Sequence, residues 1–232
     1  MTPALSIVMP VLNEAAGVVA ALLALQPMRQ RGMELIVVDG GSRDGTLGLA
    51  APLCDLVVTA ERGRARQMNE GAQHAAGDIL LFLHADTTLP DNADRLVVEA
   101  LAAPGRCWGR FDVRIEGAQR LLRLVAAMMN RRSRMSGIAT GDQAMFVRRL
   151  AFHDVGGFPD IVLMEDIGLS KRLKRIAPPV CLAERVVTSG RRWEKHGVLR
   201  TVLLMWRLRA AYALGADPAE LARRYGYGAP DA

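Results

Sequence analysis

The stretch DILLFLHAD, Asp78 to Asp86, decides the fold. Its apolar run is continuous rather than alternating, the pattern of a strand covered on both faces, and it stops at His84 and Asp86. Three earlier runs have the same character: LSIVMPV (Leu5–Val11), ELIVVDG (Glu34–Gly40) and DLVVTA (Asp55–Ala60). Between them NEAAGVVAALLALQ (Asn13–Gln26), SRDGTLGLAAPL (Ser42–Leu53) and GRARQMNEGAQHAAG (Gly63–Gly77) read as helices. Strand and helix in that alternation predict an α/β fold with a parallel sheet and right-handed crossovers. Ligands of such sheets bind beyond the carboxyl ends of the strands. Each run ends in polar residues: Asn13-Glu14, Asp39 to Ser42, Gly63-Arg64, and His84 with Asp86. Four such ends in succession describe one cleft.

The second half is patterned differently. CWGRFDVRIEG (Cys107–Gly117) reads as a strand, AQRLLRLVAAMMNRRSRM (Ala118–Met135) as a basic amphipathic helix, and GDQAMFVRR (Gly141–Arg149) as a strand and turn. MEDIGLSKRLKRI (Met164–Ile176) reads as a helix opening on two carboxylates. A short strand from Val186 leads into TSGRRWEKHG, and VLRTVLLMWRLRAAYALG (Val198–Gly215) is a second basic helix. Asp217-Pro218 starts a last short helix, proline being suited to a first helical position. The expected organisation is a single domain over 1–232. Residues 1–103 form its nucleotide-binding half, 104–195 its acceptor and catalytic half, and 196–232 a helical tail.

With 232 residues, half of them apolar and 23% charged, the chain has the profile of a globular protein long enough to bury a core without staples. Cys54, Cys107 and Cys181 are odd in number and form no C-x-x-C pair, which argues against a disulfide framework or structural zinc. The first residues carry no basic, apolar leader, and no run approaches the roughly 18–20 apolar residues of a spanning helix. A cytoplasmic location is expected. The net charge of +6 favours an anionic partner without choosing one.

Each candidate residue has a plain structural reading beside its functional one. Asp39 and the glycines after it form a turn in which Ser42 or Asp44 caps a helix, yet a carboxylate at a strand end also suits a base or ribose. Arg64 and Arg66 fall in a first helical turn, where the dipole disfavours cations; a phosphate held by Gly63, Arg64 and free N–H groups would explain Arg64, a solvated surface Arg66. Asp86 ends a strand and Asp91 can cap the helix after Pro90, but His84 and Asp86 at a cleft mouth are also metal ligands that suit a diphosphate-bound ion. Glu165 and Asp166 complement a helix dipole, and either can deprotonate a hydroxyl.

Taken in order, SIVMPVLNEA, ELIVVDGGSRDGT, GRARQMNEGAQHAAGDILLFLHADT, GDQAMFVRR and LMEDIGLSKRLKR resemble the family 2 glycosyltransferases of the GT-A fold. The resemblance covers the chain from about Ser6 to Arg191. It is closest to a short bacterial subfamily with LHADT and RRWEKHG, associated with radical-SAM enzymes and arsenosugar biosynthesis. It implies a Rossmann-like, mostly parallel central sheet flanked by helices, with C-terminal helices. The activity implied is inverting transfer of a sugar from a UDP- or GDP-linked donor to a hydroxyl acceptor, assisted by Mg2+ or Mn2+. Position by position, Pro10, Val11, Asn13 and Glu14 match the first nucleotide-contacting segment, Asp39 the base contact and Arg64 a basic donor contact. Asp86 matches the last residue of the D-x-D metal motif, with His84 and Ala85 in its first two places. Gly141 and Asp142 match a donor-sugar or acceptor loop, and Glu165-Asp166 the pair whose Asp is the usual base. Arg191, Arg192 and Trp193 partly match a loop closing over the donor, and His196 is a second candidate near the metal. The departures are Gly40, where the family writes a second Asp, and His84, where it writes the first Asp of D-x-D.

Two other classes compete. A sugar-phosphate nucleotidyltransferase would need a glycine-rich basic loop after SIVMPV, which is lacking; a non-catalytic nucleotide-binding scaffold would account for Gly40 and His84. Expected partners are a nucleotide-sugar donor and a small or lipid-linked hydroxyl acceptor, without nucleic acid. Either basic helix can lie on an acidic membrane surface, giving peripheral contact with the inner membrane face. A core-facing helix with an arginine-rich outer face, or a homodimer interface, is the plainer reading of both.

Overall fold

All seven residues of β1 (Leu5–Val11) are buried, because helices close over both of its faces. The computed structural model describes residues 3–227. After β1 come α1 (Val18–Gln30), β2 (Glu34–Asp39), α2 (Thr46–Ala50), β3 (Leu56–Thr59), α3 (Arg64–His74) and β4 (Ile79–Phe82). Then follow β5 (Thr87–Thr88), α4 (Ala93–Ala102), β6 (Trp108–Glu116), α5 (Leu121–Ser136), β7 (Phe146–Arg148), α6 (Arg149–Asp154) and α7 (Glu165–Leu173). The described chain closes with β8 (Val180–Ser189), α8 (Arg191–His196), α9 (Val198–Ala213) and α10 (Pro218–Tyr225).

One sheet of eight strands runs through the molecule in the order β3-β2-β1-β4-β7-β6-β8-β5. Its first four members are parallel, with Val11 opposite Asp39 and Val8 opposite Phe82. From β7 onward pairing is mixed: β7 is antiparallel to β4 and β6, and β6 is parallel to β8. Strand alternation sends Ile7, Leu35 and Val37 to one face, against Leu22 and Leu25 of α1 and Val97 of α4. Val8, Ile36 and Val38 face the other way, against Met68 and Ala72 of α3 and Leu169 of α7. Each such aliphatic side chain contributes about 1.5–3 kcal/mol when fully buried. With both faces occupied, the carboxyl edge of the parallel strands is where ligands can approach.

Several boundaries differ from the sequence reading. DLVVTA was expected to be covered on both faces, but β3 pairs only with β2 and its side chains are exposed or half-exposed, as befits an edge. The strand in DILLFLHAD ends at Phe82, and β4 is therefore shorter than its apolar run. Helix α1 starts only at Val18, after a turn in which the Glu14 carbonyl accepts from Gly17 and Val18, and continues past Pro27 because Met28 is buried in the core. Of Ser42–Leu53 only Thr46–Ala50 is α-helical, followed by a 3-10 turn. Asp91 does not cap α4; Asn92 precedes it without a side-chain cap. The strand placed at Val186 begins at Val180, and the segment read as a loop over the donor contains the short helix α8.

Candidate active site

The carboxyl ends of β1 and β2 are held together by polar side chains. The Gln67 amide of α3 donates to the carbonyls of Val11 and Val38, each at 2.8 Å. Asn13, at φ 54°, receives the Arg43 N–H on its side chain at 2.9 Å, and its own N–H donates to the Ser42 hydroxyl at 2.9 Å. The Glu14 N–H donates to Thr46 Oγ1. Asp44, not Ser42, accepts the Thr46 N–H that opens α2, at 3.2 Å.

Asp39 is fully buried. Its carboxylate accepts from the N–H groups of Gly41 at 2.8 Å and Ser42 at 2.9 Å, and from the Ser42 hydroxyl. These bonds realise the turn reading. Pro10 and Val11 are enclosed within β1, whereas Asn13 stays exposed. Gly40 has a steric cause: a Cβ there would stand 2.9 Å from Oε1 of Gln67.

Beyond these ends lies a cavity of about 530 Å3. Arg64 from the first turn of α3, His84 and Asp86 from the segment after β4, and Asp142 from the 3-10 turn Gly141–Gln143 reach it from the sheet side. Arg191, Arg192 and Trp193 of α8 close one rim, and α5 and α9 supply the far wall. Of the remaining candidates, Asn13, Glu14, Ala85, Gly141, Glu165 and Asp166 do not form the wall itself. His196 is exposed at the end of α8 and the structure does not bring it to the cavity. Arg66 behaves as a surface residue, paired with Asp160 at 2.8 Å and with Glu61.

Charge is concentrated at the sheet end. Burial and the nearby Asp86 push the Asp142 carboxyl up to about 6. The same two causes raise Glu14. His84 lies with Nδ1 3.9 Å from Asp142 Oδ1; burial, reinforced by Arg64, lowers its pKa to about 4, so the ring is neutral at pH 7 with a free lone pair. Desolvation opposes the Arg64 charge, yet the surrounding tyrosines and the carboxylates of Glu165 and Asp142 outweigh it and raise its pKa. Carboxylates repelling one another around Asp86 are what a divalent cation would relieve. Among the described residues no three His, Cys, Asp or Glu side chains converge into a complete cage. The set accordingly fits an ion whose coordination is completed by a ligand's phosphate oxygens.

The Glu165-Asp166 pair opens α7 after Met164, which sits at φ 70°. Burial first, and then the adjacent Asp166, drives the Glu165 carboxyl up to about 7. Burial raises Asp166 too, but N–H groups of Gly141 at 2.9 Å and Ile167 at 2.7 Å donate to its two oxygens and favour its anion. Two backbone donors from neighbouring residues favour the anion at Asp166 over Glu165, whose carboxyl is driven up by burial and by Asp166. Asp166 is tied to the cavity wall by the N–H of Gly141, which precedes the wall residue Asp142 in the turn. A Cβ on Gly141 would stand 2.4 Å from Cε1 of His84, so glycine lets imidazole and turn pack in contact.

Some site residues were not anticipated. The Arg192 guanidinium lies 3.6 Å from the Tyr225 ring centroid, and Arg64 lies 5.5 Å from that of Tyr227. Both tyrosines line the cavity, with Thr188, Met205, Trp206, Arg132 and Arg209. The RRYGYG stretch places two aromatics two residues apart, but nothing local in it says that α10 folds back onto residues 64 and 192.

A family model described as "Glycosyl transferase family 2" matches residues 6–154, the whole parallel half and β7. The chain belongs to glycosyl transferase family 2. A glycosyltransferase of Mycobacterium tuberculosis (strain H37Rv) is 32% identical over 128 residues, 51% of this chain and 49% of the relative. A PGL/p-HBAD biosynthesis glycosyltransferase of Mycobacterium bovis is 39% identical over 94 residues, 38% and 37% of the two chains. The chain thus spans about half, or less, of the curated relatives it matches. Among solved structures, the mannosyltransferase PcManGT from Pyrobaculum calidifontis, in complex with GDP-Man and Mn2+, superposes with a TM-score of 0.65 at 22% identity, covering 98% of this chain and 70% of that one. Glucosyl-3-phosphoglycerate synthase from Mycobacterium tuberculosis, with Mn2+, UDP and glucosyl-3-phosphoglycerate, gives 0.60 at 18% identity over 80% and 71%. At these identities the likeness is one of fold, and the fold of this family 2 chain is GT-A.

Proposed function

We propose that the chain transfers a sugar from a nucleoside-diphosphate donor to an acceptor hydroxyl with inversion at the anomeric carbon. The observation that carries this reading is one cavity, at the carboxyl edge of the parallel strands, walled by Arg64, His84, Asp86 and Asp142 in a family 2 chain. The named structural neighbours contain UDP or GDP-Man with Mn2+, which supports this ligand class and a divalent cation, Mg2+ or Mn2+.

Asp86, with the neutral His84 beside it, would hold the ion. When bound, that ion supplies Lewis-acid stabilisation of the diphosphate. Arg64 stands ready as a fixed positive charge for the oxygen that leaves C1, and Arg191 and Arg192 add charge at the rim. As the C1–O bond to the donor breaks and the acceptor oxygen bonds to C1 from the opposite face, the acceptor proton passes to Asp166, whose carboxylate oxygens accept from the N–H groups of Gly141 and Ile167. Fixing both substrates in one cavity supplies much of the remaining acceleration.

Asp142 is the second reading for the base, favoured by its place on the wall and a pKa near 6. Cation binding at Asp86 would remove one cause of that elevation, which argues for Asp166. The test is nucleotide release from a panel of UDP- and GDP-sugars with acceptor hydroxyls, with and without Mn2+. Metal-stimulated release of one nucleotide supports the proposal; tight donor binding without turnover on any acceptor would leave the scaffold reading.

A further inference from the structure

The far wall of the cavity differs in kind from the sheet side. It is built from α5 and α9, which pack together through Leu122, Ala126 and Val198. Their outward faces remain apolar, with Met128 45% exposed and Trp206 58% exposed, and both residues also line the cavity. Leu124 and Leu203 extend this uncovered surface along the same two helices. Neither helix contains an Asp or Glu, while together they carry seven arginines. Two of these, Arg132 and Arg209, turn into the cavity. Nε and one terminal nitrogen of Arg132 and Nε of Arg209 are buried without a hydrogen-bond partner among the described residues. Buried guanidinium donors left unpaired are expected to find an acceptor when the site is filled.

Resting on the transferase reading above, we infer that the acceptor is a lipid-borne anion. Its phosphate-bearing head lies against Arg132 and Arg209, and its hydrocarbon chain leaves between Met128 and Trp206 into a bilayer of acidic lipid. The continuity of apolar surface with cavity wall and the one-sided charge both favour this occupant over a soluble sugar, which would leave Met128 and Trp206 without partners. Arginine suits the head because its fork matches phosphate oxygens.

The test is co-sedimentation of the full chain with phosphatidylcholine vesicles, plain or doped with dodecyl phosphate, at low and high salt. Inorganic phosphate is run as competitor, and GDP and UDP binding with Mn2+ as the donor control. Doped vesicles should bind at least about tenfold better than plain ones. Arg132→Gln with Arg209→Gln should erase that preference, and Leu124→Ser with Leu203→Ser, on the uncovered surface but off the cavity wall, should weaken attachment to the bilayer while keeping the nucleotide response. Equal binding to plain and doped vesicles, no binding to either, or full displacement by inorganic phosphate would overturn the inference. Loss of the nucleotide response in the unmodified chain would instead count against the donor reading alone.

Discussion

The backbone N–H of Gly141 donates to Oδ2 of Asp166 at 2.9 Å, joining the turn on the cavity wall to the start of α7. Asp142 beside it faces the ligand space, and Asp166 accepts a second N–H, from Ile167, at 2.7 Å. Their roles can be separated. Asp166→Asn keeps the shape but removes the proton acceptor and should lower turnover by about 10²–10⁴-fold with donor affinity unchanged. Asp142→Asn should chiefly weaken donor binding. Calorimetry and initial rates on both variants decide between them, and the reverse pattern would make Asp142 the base.

Gly141→Ala should cost about 1–3 kcal/mol, because the added carbon runs into the imidazole of His84. His84→Ala in the same chain should recover most of that loss, a non-additivity expected of residues in contact. Urea unfolding of the two single variants and the double variant measures it; additive losses would show that the contact is not the cause.

Gly40 and Gln67 form a similar pair. Gly40→Ala should destabilise the chain and Gln67→Ala should cost about 1–3 kcal/mol, since it removes the side-chain donor to the Val38 carbonyl and one of the two donors to that of Val11, which keeps the Gly40 N–H. With Gln67→Ala already present, the additional cost of Gly40→Ala should nearly vanish. Thermal unfolding of the three variants provides the comparison.

The raised Glu165 pKa has a defined pH signature. Its folded value, about 7, lies above the ordinary 4.5, so the folded state binds the extra proton between those limits. That contribution to stability is complete below about 4.5 and is lost as pH rises to about 7. Glu165→Gln removes it. The stability of the variant minus that of the unmodified chain should rise across this window, whereas His84, common to both, cancels. Denaturant melts at pH 4.5 and 7 test the sign.

The parallel half was legible because its signal is local. Ile79–Leu83 must be covered on both faces, and His84 and Asp86 must then fall at a strand end. The roles of Asp39 and Gly40 were less accessible. A carboxylate before two glycines reads both as a turn and as a ligand contact; the N–H groups of Gly41 and Ser42 realise the turn, and only Gln67, far along the chain, explains why residue 40 has no side chain. Tyr225, Tyr227, Arg132 and Arg209 share the cavity through long-range packing that no helical period encodes. His196, a candidate near the metal by sequence, lies exposed at the end of α8, a placement that depends on how α8 packs rather than on the motif around it.

The central claim is a donor diphosphate held through a cation at Asp86. Calorimetric titration of GDP and UDP, with and without Mn2+, into the unmodified chain and Asp86→Ala tests it most directly. One nucleotide should bind at least about tenfold tighter with Mn2+ in the unmodified chain, and that enhancement should be absent in Asp86→Ala. Equal Mn2+ enhancement in both proteins, or none in either, would contradict the account.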